Sequence, residues 1–118
     1  MVELIDSHAH LDFDKFNKDR NEVIKRAKSN GIINIINVGS NLSSSHRSLQ
    51  LSQHYEMIYA VVGVHPHEAK TLDKKALQVL KDLSKADKVV GIGEIGIKEQ
   101  VTSMGRSKLI KFWDQFMG

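Results

Sequence analysis

The sequence predicts an α/β protein built from a parallel strand-helix repeat, and three observations carry that prediction. Short β-branched apolar runs, Leu4-Ile5, Ile32 to Val38, Met57 to Val64 and Val89 to Ile97, recur about every 29 residues, room for a strand plus a crossover helix and too long for a hairpin. Apolar residues at helical spacing fill the gaps between them. The runs are nearly continuous instead of alternating, the pattern of strands covered on both faces of a parallel sheet.

Each element has its own signals. The first strand, Leu4-Ile5, runs into Asp6-Ser7-His8-Ala9-His10-Leu11-Asp12. The first helix carries Phe16, Val23, Ile24 and Ala27 on one face, and Asn30-Gly31 stops it. Ile32 to Val38 is the second strand, closed by Gly39-Ser40. Ser43 to Ser45 cap a second helix bearing Leu49 and Leu51. The third strand ends at His65-Pro66-His67, where the chain's single proline stops it. Asp73 caps a third helix through Ala76, Leu77, Leu80 and Leu83, and the fourth strand ends at Glu94. Lys70 to Lys75 and Lys81 to Lys88 read as solvated helix faces.

Two architectures suit this order. A doubly wound sheet marks its first strand-to-helix turn with a glycine-rich phosphate loop, which is not the reading here. A closed barrel places reactive side chains at the C-terminal ends of successive strands, as His8, His10, His65, His67 and Glu94 are placed.

Composition bounds the function. The 118 residues are 41% hydrophobic, 26% charged and 6% aromatic, the balance of one globular domain that holds a core without staples. With no cysteine, disulfide frameworks, thiol nucleophiles and cysteine-based zinc sites are excluded, and a cytoplasmic location is expected. No apolar run reaches the roughly 20 residues of a membrane helix. A net charge of +3 is too small and dispersed for a dedicated nucleic-acid groove, yet it does not repel a polyanion.

Chemistry concentrates in two His-x-His pairs and one glutamate. In an extended strand His8 and His10 share a face about 6 to 7 Å apart and can converge on one ion. The plainer reading has one imidazole capping the loop and the other exposed. Glu94, in Gly93-Glu94-Ile95-Gly96, can bridge two cations, or be a buried carboxylate paired with a lysine. Asp6 and Asp12 either orient the imidazoles or cap the loop. His65 is placed to touch a substrate phosphate, His67 to be an exposed loop residue, and His46 and His54 to be structural or surface residues.

Four blocks, Ile5 to Asp12, Ile36 to Gly39, Val62 to His67 and Gly91 to Gly96, resemble in order and spacing the signature segments of the TatD family of metal-dependent deoxyribonucleases. The resemblance covers residues 2–97. It implies a TIM-type barrel of the amidohydrolase superfamily, a site for two divalent ions (Mg, Mn or Zn), and hydrolysis of phosphodiester bonds in DNA as substrate. On it His8 and His10 match the first metal ligands, Glu94 the bridging carboxylate, and His65 a histidine at the site's rim.

The pattern departs at Ile97-Lys98-Glu99-Gln100. A barrel of this type takes roughly 250 residues and eight strands, and the family's two later histidines and aspartate have no counterpart after Glu94. Residues 1–97 are therefore expected to form a truncated half barrel. Residues 98–118 are expected to form a divergent tail, with an amphipathic helix from Arg106 to Met117 that carries Trp113 and Phe116. The expected function is a weakly active metal-dependent hydrolase. The alternatives are another amidohydrolase acting on an amide, lactone or phosphotriester, and an inert half-barrel remnant or interaction module that self-associates through exposed sheet edges.

Overall fold

Parallel pairing demands a crossover between successive strands, and the sequence supplies each of the three. In the computed structural model, which describes residues 2–95, β1 (Leu4–Ala9), β2 (Ile32–Val38), β3 (Ile58–Val62) and β4 (Val89–Ile92) form one parallel sheet in the order β1-β2-β3-β4. Helices α1 (Arg20–Ser29), α2 (Leu42–His54) and α3 (Lys74–Leu83) are the crossovers, with short 3-10 turns at Asp14–Phe16 and Pro66–Thr71. Strand order follows chain order with no reversal, so the sheet is singly wound, as in a barrel, and lacks the switch point of a doubly wound fold.

The core lies on one face. Ile24 of α1 packs with Ile35 and Ile58, and Leu51 of α2 joins them. Leu77, Leu80 and Leu83 of α3 pack with Val62 and Val64. The third helix matches its pattern: the Asp73 carboxylate accepts the Ala76 N–H at 2.7 Å, and the four apolar residues of its stripe are buried.

Four expectations need correction. Helices cover one face of the sheet and not both: among the described residues Leu4, Ile5 and Val90 stay exposed. Continuous apolar runs here reflect a second face that needs a cover these residues do not supply. The cap of α2 is Asn41, which forms a reciprocal capping box with Ser44, so Ser43 to Ser45 lie inside the first turn. The buried face of α2 is lined by Ser44, Ser45, Ser48 and Ser52, with Leu49 and Leu51 only half-buried. Lys88 is no solvated residue. Its ammonium donates to the carbonyls of Ser52, Tyr55 and Glu56 at 2.6 to 2.9 Å, closing the C-terminal end of α2, and burial holds its pKa below the ordinary lysine value while Glu56 opposes the shift. The expected tail helix and the 98–118 segment lie outside the described residues.

Candidate metal centre

All four strands point their C-terminal ends to one rim, and backbone hydrogen bonds tie that rim together. Gly39, just past β2, accepts the Glu94 N–H at 2.8 Å, Val62 accepts the Gly93 N–H at 2.9 Å, and Ser40 accepts the His65 N–H at 2.7 Å. The glycines allow this. A side chain at Gly63 would place its Cβ 2.5 Å from the Gly93 carbonyl oxygen, and one at Gly39 would collide with Ser45. Gly63, just past β3, thus permits the close approach to Gly93. Ser45 Oγ finishes the joint, accepting the Gly63 N–H at 3.0 Å and donating to its carbonyl at 3.1 Å.

On this rim the three predicted donors meet. One ligand atom each from His8, His10 and Glu94 lies within 4.8 Å of the others, inside the few ångströms a shared cation allows. Nε2 of His8 and Nε2 of His10 stand 3.7 and 3.6 Å from the same Glu94 Oε2. Those separations are too long for hydrogen bonds, whereas two donors each about 2.1 Å from a common tetrahedral ion stand about 3.4 Å apart. Among the described residues no other group of three or more such side chains converges.

Tautomers divide the histidines by role. His10 Nδ1 donates to the Val38 carbonyl at 2.9 Å, which leaves the Nε2 lone pair facing Glu94, the arrangement that prepares an imidazole as a metal ligand. His65 is arranged the opposite way. Its Nδ1 accepts the His67 N–H at 3.1 Å, so the neutral ring keeps its proton on Nε2, 3.9 Å from Glu94 Oε1. The donor set fits a divalent cation at His8, His10 and Glu94, with His65 beside it as a hydrogen-bond donor.

The remaining candidates have plainer surroundings. Asp6 accepts the His8 backbone N–H at 3.1 Å and so shapes the strand. Asp12 is buried and turned toward β2 and α2, where it accepts from Asn37 Nδ2 at 2.9 Å and stands 3.6 Å from Arg47 Nε. His46, His54 and His67 are exposed.

Sequence reasoning passed over Asn37. Fully buried, it accepts the Leu11 N–H at 2.6 Å and donates to Asp12 and to Ser48 Oγ at 2.8 Å, fixing the loop that leaves His10. A polar residue inside a largely apolar strand was the signal. The spacing of Ser45, Ser48 and Ser52, three and then four residues apart, was the corresponding signal in α2.

Comparison with known proteins gives the family and the fold. The family model described as TatD related DNase matches residues 5–117, running past residue 97 where the recognisable motifs end. The metal-dependent hydrolase YabD of Bacillus subtilis is 38% identical over 94 residues, covering 80% of this chain and 37% of YabD. The 3'-5' ssDNA/RNA exonuclease TatD of Cronobacter sakazakii is 32% identical over 94 residues, covering 80% of this chain and 36% of that protein. The crystal structure of YjjV, a TatD homologue of Escherichia coli, superposes with a TM-score of 0.78 at 26% identity over 97% of this chain and 48% of its own. A TatD family hydrolase of Entamoeba histolytica gives 0.86 at 24% identity, a likeness of fold. The chain thus spans little more than a third of the length of the first two proteins.

Proposed function

The chain belongs to the TatD related DNase family, and on that premise we propose that it carries the first ligands of a metal-dependent hydrolase acting on phosphodiester bonds of DNA. The observation that carries this reading is the meeting of His8, His10 and Glu94 on one strand-end rim, within 4.8 Å. A divalent cation bound there, Mg, Mn or Zn, supplies Lewis-acid charge to a phosphoryl oxygen and lowers the pKa of water.

The protein's own residues do the rest. His10, fixed by the Val38 carbonyl, and His8, on the edge strand, present two nitrogen donors, and Glu94 presents a carboxylate between them. His65 holds its proton at Nε2, where it donates to a phosphoryl oxygen as negative charge develops. Strands β1 and β4 sit at opposite edges of the sheet, so the site exists only once the whole sheet has formed.

The test is hydrolysis of single-stranded DNA in Mn2+ or Mg2+, run beside His8→Ala and Glu94→Gln. Turnover by the wild type and its loss in both variants is expected; equal turnover in all three would refute the assignment. A second reading, an inert interaction module, is favoured by the open apolar face at Leu4, Ile5 and Val90. It is the correct one if the variants and the wild type are equally inactive while the protein self-associates.

A further inference from the structure

Phe13 presents an aromatic ring at the mouth of the candidate centre without burying it. Phe13 is 41% exposed, so part of its surface stays open beside the candidate ligands. It lies nearly parallel to the His10 imidazole, 12° between planes and 4.9 Å between centroids. Its backbone is held on both sides: the Phe13 N–H donates to the His10 carbonyl at 3.2 Å, and its own carbonyl accepts from Phe16 N–H at 2.9 Å and from Arg20 Nη2 at 3.2 Å. Arg20 also grips the Leu11 carbonyl and Asn17, so the whole turn is anchored to α1.

We infer that Phe13 is a stacking platform for an unpaired nucleobase of the strand whose phosphate lies at His8, His10 and Glu94. The inference rests on the nuclease reading and adds to it the residue that receives a base. One ring face rests on a candidate ligand, so a base on the exposed part stacks within one nucleotide of the reacting phosphate. A base paired within a duplex keeps its faces against its neighbours and is unavailable, whereas an unstacked end or single strand offers a π-face of any sequence. Little preference among bases follows, since every base has a π-face. Pinning of the turn matters because a platform ordered in advance loses little entropy on binding.

The experiment compares two short single-stranded oligonucleotides of phosphorothioate backbone, one with 2-aminopurine at its end and one abasic there, each titrated into Mn2+-loaded protein. Wild type is expected to quench 2-aminopurine fluorescence and to bind the base-bearing strand about 10-fold more tightly than the abasic one. Phe13→Ala is expected to lose both the quench and the preference while calorimetry shows unchanged Mn2+ affinity. Phe13→Leu, which keeps an apolar cover over His10, should lose them too, and Phe13→Trp should retain them. A Phe13→Ala protein that still prefers the base-bearing strand overturns the platform and leaves the nuclease reading intact. Wild-type protein that binds neither oligonucleotide overturns both.

Discussion

Glu94 is the residue on which the candidate centre turns, because one of its oxygens faces both imidazoles and the other faces His65. Removing its charge leaves two neutral nitrogens, too weak a set for a hard cation. Calorimetric titration with Zn2+ or Mn2+ is therefore expected to show one site in the wild type. Its affinity should fall at least about 100-fold in Glu94→Gln and in His10→Ala, more than the loss of an outer-shell partner alone. His65 behaves differently on this account. As a donor to substrate and not a ligand, His65→Ala should leave metal affinity within about 3-fold of wild type and lower kcat on DNA about 100-fold, the usual loss for one charge-stabilising donor. A parallel fall in metal affinity would assign His65 to the ligand set instead.

At the scale of elements, the site depends on irregularities more than on ideal strands. β1 carries a register shift between Asp6 and Ala9, so an extra residue opposes β2 where His8 leaves the ladder. Helix α2 approaches the strand ends closely because serines line its buried face, and Ser45 clasps Gly63. Gly63→Ala is expected to destabilise the fold by about 1 to 3 kcal/mol in urea denaturation, since its Cβ meets the Gly93 backbone and no flexible side chain can yield. It should also weaken metal binding by displacing Glu94. Asp73→Ala, which removes only the α3 cap, should cost about 1 kcal/mol and leave the metal titration unchanged. Lys88→Met leaves three carbonyls at the end of α2 without their donor, and its expected loss is about 1 to 3 kcal/mol.

The whole molecule has one face packed by three helices and one face open among the described residues. Leu80 shows what the packed side contributes: it is fully buried, and Leu80→Ala should lower stability by about 2 to 5 kcal/mol. On the open side, Ile5 and Val90 are more than half exposed. An apolar sheet face of this kind attracts a second apolar surface. The protein as it stands is therefore expected to bind a hydrophobic dye and to show a concentration-dependent mass in light scattering. A monodisperse monomer that leaves the dye dark would show that this face is already covered.

The βα repeat, the third helix with its Asp73 cap, and the identity of the three candidate donors were all legible in the sequence. Each depends on local periodicity, capping chemistry, or a residue type at a strand end, and these act over a few neighbouring positions. The spacing of the apolar runs even located β2 to the residue, since a run flanked by Gly31 and Gly39 has sharp limits. Tertiary structure alone decided which faces are covered, because a continuous apolar run looks the same whether its second face meets helices or nothing. It alone assigned tautomers, through the Val38 carbonyl on His10 and the His67 amide on His65, contacts that need strand ends or a folded turn to bring the partners together. The close joint at the rim belongs there too: Gly39, Gly63 and Gly93 lie on separate segments, and only the assembled sheet sets the distances between them.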